Sequence, residues 1–179
     1  MPSPIAHAVS GYALAKFLTP KISSRKDKGK RISLFYAVFV AIAADFDFIP
    51  QLITGLDFHR GLTHTLAFAA VFSFVISCII SYCQKYKWQQ VFIFTFAIYC
   101  SHLVLDFFTQ GGLGIPLLSP FSDSFFISKI SLFPAVHHSR GLFDPSHITF
   151  VGFELVYSLL LIWGLWWWQC FRQSKKIKL

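Results

Sequence analysis

Polar residues in this chain are confined to short stretches that separate long apolar runs. Three runs are clear: LTHTLAFAAVFSFVISCIISY over 62–82, VFIFTFAIYCSHLVLDFF over 91–108 and ITFVGFELVYSLLLIWGLWWW over 148–168. A fourth, ISLFYAVFVAIAADFDFI over 32–49, is near the lower length limit and ends in two carboxylates. A hydrocarbon core about 30 Å thick takes about 20 helical residues to cross, so these runs predict transmembrane helices. The stretch IAHAVSGYALAKFL over 5–18 would reach only about 21 Å as a helix. It reads as a short tilted span, a re-entrant helix or a surface helix. No basic segment precedes it and no A-x-A-like site follows, which argues against a cleaved signal peptide. The 109–147 segment reads as a loop. The predicted fold is an all-α integral membrane protein, one helical domain over 1–179 with four to five transmembrane helices.

Composition supports this reading. Of the 179 residues 55% are hydrophobic and only 13% charged, against about 25% charged in an ordinary soluble domain. Cys78, Cys83, Cys100 and Cys170 lie in or beside apolar runs without metal-type spacing and read as small core hydrophobes.

The net charge of +8 does not imply a nucleic-acid partner, because the basic residues fall into three clusters in alternate loops. Lys21 to Arg31, Lys85 with Lys87, and Arg172 to Lys178 all come to one face if each intervening segment crosses once. The positive-inside rule makes that face cytoplasmic, and Trp88 and Trp166 to Trp168 then sit at the inner interface. The opposite face receives seven of the eight acidic residues, with only Asp27 left inside, and all seven histidines if the short N-terminal helix also crosses. The outer membrane boundary is therefore where chemistry is expected.

His102 and Asp106, four apart, share one helix face. A carboxylate at mid-bilayer costs about 2.5–3.5 kcal/mol on insertion scales, so it faces a partner or a cavity. The pair is either an internal hydrogen bond that ties helices together or a two-ligand metal arm. Asp45 and Asp47 would point in nearly opposite directions on a continuous helix, but Pro50 disfavours helical geometry at Ile49. The span is expected to end or unwind close by, which lets both carboxylates reach one centre or leaves one of them to cap or face water. His59 and His64 flank Arg60, whose planar fork suits a phosphate or carboxylate rather than a metal. With His7 the set offers imidazole and carboxylate, borderline donors suited to zinc, manganese or iron rather than calcium. That is more than one tetrahedral zinc can use, so either two ions bind or some residues stand behind the ligands. Further along, AVHHSRGLFDPSH (135–147) offers His137 and His138, with a solvated loop as the plainer reading. Glu154, about two turns into the last span, is either a further ligand or base, or a hydrogen-bonded structural acid.

The succession ADFDFIP, HRGLTHTL and YCSHLVLDFFTQGGLGIPLLSPF resembles the YdjM-like family of LexA-regulated, membrane-bound metal-dependent hydrolases of the bacterial inner membrane. The resemblance runs from His7 to about Pro120. It implies metal-binding positions at His7, Asp45, His59, His64, His102 and Asp106, with Asp47 as a second carboxylate. Ala44 stands where that family often has proline, and Phe48 where some members have a further histidine. A more distant similarity to zinc-dependent phospholipase C implies metal-assisted cleavage of a phosphoester.

The sequence is accordingly read as a membrane-embedded metal-dependent hydrolase of the inner membrane. Its basic loops are cytoplasmic, and its site faces the outer side. It would act on a lipid or lipid-linked phosphoester through one or two divalent ions, zinc first and manganese or iron as alternatives. Asp47 is assigned as general base or water-positioning group and Arg60 as anion clamp. The competing reading is a non-enzymatic membrane protein that carries a metal or proton, as a transporter or sensor. The almost purely apolar inner halves of the spans count against it.

Overall fold

The structure, a computed structural model, describes residues 3–22, 34–54, 60–110, 113–134 and 145–177. It is helical, with isolated β-bridges but no strand among the described residues. In chain order the α-helices are α1 (Pro4–Ile22), α2 (Leu34–Ile42), α3 (Phe48–Thr54), α4 (Leu66–Gln84), α5 (Trp88–Phe107) and α6 (Pro145–Ile177). A 3-10 turn over Ala43–Asp47 joins α2 to α3, and a second over Leu62–His64 leads into α4.

Four helical stretches are long and apolar enough to cross a membrane: Leu34–Gln51, Leu66–Gln84, Trp88–Phe107 and Ile148–Ser174. Their outward faces are apolar: Val71, Phe74 and Ile79 on α4 and Leu155, Leu159, Leu160 and Trp163 on α6 are exposed. In water such faces would be unstable, and in lipid they are the expected surface. The protein is membrane-embedded.

Large side chains of α5, among them Phe94, Ile98, Tyr99 and Leu103, fill much of the interior, but the contacts of α1 are made by small residues. α1 packs against α2, α5 and α6, and α2 also packs against α5. Ala6, Ala15, Ala37, Ala41 and Ala44 are buried at these crossings. At Gly11 the helices approach closely: a Cβ there would stand 2.4 Å from the Ala41 Cβ. Small residues permit the close approach that drives helix association where the hydrophobic effect offers little.

Several helix boundaries differ from the sequence reading, and α6 runs over Pro145–Ile177 rather than 148–168. α1 runs to Ile22 rather than Leu18, about 28 Å at 1.5 Å per residue. Pro20 therefore does not end it. Pro50 does not end the second helical stretch either, because it falls in the first turn of α3, where a missing N–H has no helical partner to lose. The unwinding lies upstream, in the Ala43–Asp47 turn.

The 113–134 segment folds back over the helix ends. Leu117 O accepts from Leu66 N, Phe107 O from Ser128 N and Phe108 O from Leu132 N. These bonds satisfy carbonyls left over at the end of α5 and an amide at the start of α4.

Candidate metal centre

The start of α1, the end of α2, the start of α4 and the end of α5 meet at one end of the bundle, and the titratable side chains meet there with them. His7 is in the first turn of α1, and His102 and Asp106 are in the last two turns of α5. Asp45 and Asp47 come from the 3-10 turn after α2, and His64 ends the turn before α4.

Local backbone geometry explains how two carboxylates two residues apart reach one histidine. On an α-helix they would be about 160° apart around the axis, whereas at three residues per turn the angle closes to about 120°. Asp45 Oδ1 is 4.0 Å from His64 Nε2, and Asp47 Oδ2 is 3.2 Å from the Nδ1 of the same ring. On the other side of the site, Thr65 caps α4 by accepting from Phe68 N at 3.0 Å, which starts the helix at Leu66 and leaves His64 in the preceding turn.

The donor atoms converge closely. His64 Nε2 lies 3.3 Å from His102 Nε2 and 3.1 Å from Asp106 Oδ2. His102 Nε2 lies 3.5 Å from Asp106 Oδ2 and 3.5 Å from Asp45 Oδ1. His7 Nε2 is 3.5 Å from Asp106 Oδ1, and its ring stacks on that of His102 at 3.7 Å. For zinc held at about 2.0–2.1 Å, a tetrahedron has ligand-to-ligand edges of about 3.3 Å, so these separations fit such an ion. Two triads have donor atoms close enough for a shared ion: His7, Asp45 and His102, and His64, His102 and Asp106.

Each central histidine is turned by a partner on its other nitrogen. His102 Nδ1 donates to the carbonyl of Ala41 at 2.8 Å, so the lone pair is on Nε2 and faces the cluster. Thr63 donates its hydroxyl to Asp47 at 2.6 Å and lies 3.0 Å from His64 Nδ1, which places Thr63 and Asp47 together behind the His64 ring. Tyr99 in turn donates to the carbonyl of Thr63 at 2.8 Å.

The set is deeply buried, and part of it lacks hydrogen-bond partners that a cation would replace. The side chains of His7, His64, His102 and Asp106 are fully buried, and only Asp45, at 16%, has appreciable exposure. Among the described residues, Asp45 Oδ2 and His7 Nδ1 have no hydrogen-bond partner, while the Asp106 oxygens face His64, His102 and His7 at 3.1–3.5 Å. Buried ionic groups left without such partners cost several kcal/mol, and a bound cation would remove that cost. For His64, which precedes the α4 span, burial alone lowers the pKa, but its bonds to Asp106 and Asp47 outweigh burial and lift it to about 9.

The sequence model of the YdjM inner membrane protein family matches residues 1–172. The chain belongs to the YdjM inner membrane protein family. No curated protein and no solved structure matches it.

In this YdjM-family chain the structure brings together His7, Asp45, His64, His102 and Asp106 from among the residues singled out in the sequence. Asp47 stands beside them, on the Nδ1 side of His64. Arg60 lies in the loop before that turn with φ of 63°, a left-handed conformation that non-glycine residues adopt rarely and often at functional sites. His59, His137 and His138 lie outside the described residues. Glu154 is buried and accepts a hydrogen bond from the backbone N of Ser3, at the start of α1, and is not in either triad. Sequence reasoning missed Thr63, Tyr99 and the Ala41 carbonyl. Thr63 carried a signal, since it sits inside HRGLTH, whereas a backbone carbonyl carries none.

Proposed function

We propose that this protein is a membrane-embedded, metal-dependent hydrolase that cleaves a phosphoester of a lipid or lipid-linked substrate, with its site toward the outer face of the bacterial inner membrane. The observation that carries this reading is the convergence of His64 Nε2, His102 Nε2, Asp106 Oδ2 and Asp45 Oδ1 at separations of 3.1–4.0 Å, with both imidazoles turned from behind. Zinc is the first choice by donor type, with manganese or iron next.

One ion is the stoichiometry we favour. Both triads need His102, whose Nδ1 is committed to Ala41, so both draw on the same Nε2 lone pair. A divalent ion bound there supplies Lewis acidity, polarising a phosphoryl oxygen and making water more acidic. The protein's own groups have separate tasks. His64, His102 and Asp106 fix the position of the positive charge from the buried side. Asp45, the most exposed of the set, borders the open side where substrate oxygen or water would arrive. Asp47 holds the His64 ring through Nδ1 and is a positioning residue in this reading, a change from the general base expected of it. Arg60, carried on the loop that leads into the His64 turn, supplies a planar guanidinium for the phosphate.

The test is the metal content of detergent-purified protein, by inductively coupled plasma mass spectrometry, beside a His64→Ala, Asp106→Ala double variant. About one equivalent of metal is expected, absent from the variant, followed by release of phosphate or phosphoalcohol from defined phospholipids by the native protein alone. A native protein that stays free of metal after reconstitution with zinc, manganese and iron would overturn the reading.

A further inference from the structure

A cavity of about 380 Å³ opens beside the candidate centre, between the turn that carries Asp45 and Asp47 and the helix α4. Its walls are Ala43, Phe46, Pro50, Leu62, Phe68 and Phe72, and its polar end is formed by Asp47 and Thr63. Those two side chains touch His64 directly. The cavity therefore runs from an apolar rim to the edge of the donor cluster. Ligand pockets typically enclose about 300–1,000 Å³.

We infer that this groove holds an acyl chain of the lipid substrate and so delivers the headgroup linkage to the site, an inference that rests on the lipid phosphoester reading given above. Three observations identify the occupant. The walls belong to or adjoin the candidate spans Leu34–Gln51 and Leu66–Gln84, the apolar stretches long enough to cross a membrane. Its rim is apolar and exposed, at 42% for Phe46 and 66% for Leu62. The polar end carries a carboxylate, which repels a phosphate, so the anionic part of a lipid cannot lie in the groove itself. A chain in the groove leaves the phosphate to the donor cluster, where a bound cation would offset the carboxylates and where Asp45 has appreciable exposure.

The larger groove between α1, α5 and α6, about 540 Å³, lacks this connection. Its polar groups are spent on one another and on backbone: Ser10 bonds to Tyr157 at 2.8 Å and to the carbonyl of Ala6, and Ser101 bonds to the carbonyl of Ile98. None of the five clustered donor residues lines it.

The experiment uses the full chain in nanodiscs that contain phosphatidylglycerol with a diazirine midway along one acyl chain. After illumination, labelled residues are located by peptide mass spectrometry, with metal content and phosphoester cleavage measured on the same preparations. Labelling of Phe46, Leu62 and Phe72 is expected to exceed that of Leu159 and Leu160, which face lipid on α6, by about tenfold, equal to about 1.4 kcal/mol of preferential binding. Leu62→Trp, at an exposed rim position, and Ala43→Phe, at the buried wall, should each bring groove labelling down to the α6 level while α6 labelling stays constant. Uniform labelling, a groove protected from label by a second copy of the chain, or groove labelling unchanged in both variants would overturn the inference. The two readings fail separately. Metal and cleavage with uniform labelling removes the chain site alone, whereas strong groove labelling without metal or cleavage keeps the chain site and removes the hydrolase.

Discussion

At the scale of single residues, the contrast between ligand and support gives the sharpest expectations. Asp106 faces His7, His64 and His102 at once, at 3.1–3.5 Å, so Asp106→Ala should abolish metal retention on a desalting column. Asp47 meets His64 at its far nitrogen, Nδ1, so Asp47→Asn should weaken metal affinity by about 10–100-fold without abolishing it, the usual cost of losing a partner behind a ligand. A chelator-competition titration separates the two, and equal losses would remove the distinction. Proton competition follows from the same geometry. His64 has its pKa lifted to about 9 in the absence of metal, so below that pH the ring holds a proton that a metal must displace. Metal affinity should therefore rise by about tenfold per pH unit on approaching 9 and level off above it. A flat profile between pH 6 and 8, measured by the same titration, would place His64 outside the ligand set.

At the scale of elements, the positioning of α1 against α2 matters as much as the ligands themselves. Gly11 leaves room for Ala41, and the carbonyl of Ala41 orients His102. Gly11→Val would drive a side chain into a backbone crossing that has no slack, with a cost of about 1–3 kcal/mol for overpacking. The expected result is a lower melting temperature in detergent together with weakened metal binding, although residue 11 touches no ligand. Glu154 tests the other end of the same element. It holds the start of α1 through Ser3, one turn before His7, so Glu154→Leu should loosen His7 and reduce metal affinity, with Glu154→Gln close to native because an acceptor oxygen remains. If Glu154→Gln loses metal as completely as Asp106→Ala, Glu154 is a ligand and not an anchor. These relations also mark where sequence reasoning ran out. Continuous apolar runs made the spans legible, and His102 with Asp106 was legible because a four-residue spacing has one geometric meaning on a helix. The division of labour between Asp45 and Asp47 was not, since it depends on a 3-10 turn that Pro50 hinted at but did not locate. The Gly11–Ala41 crossing and the Ala41 carbonyl were invisible, because neither tertiary proximity nor backbone acceptors are written in residue type.

At the scale of the whole molecule, the asymmetry of the chain becomes a statement about sides. The donor cluster lies where α4 begins and α5 ends, whereas Lys85 and Lys87 join the opposite ends of those two helices, about 28 Å away along α4. The proposed orientation puts the lysines in the cytoplasm because flanking Lys and Arg resist transfer across the membrane during insertion. The loop over 113–134, which folds back against the cluster end, then faces outward. Single cysteines in a background with Cys78, Cys83, Cys100 and Cys170 replaced by alanine decide the matter. Ser124→Cys, exposed in that loop, should react with a membrane-impermeant maleimide in intact spheroplasts, and Lys85→Cys should react only after the membrane is opened. The reverse pattern would turn the site toward the cytoplasm. It would leave the metal chemistry intact but restrict the lipid substrate to the inner leaflet, because a buried centre with one apolar entrance can draw only on the leaflet it opens to.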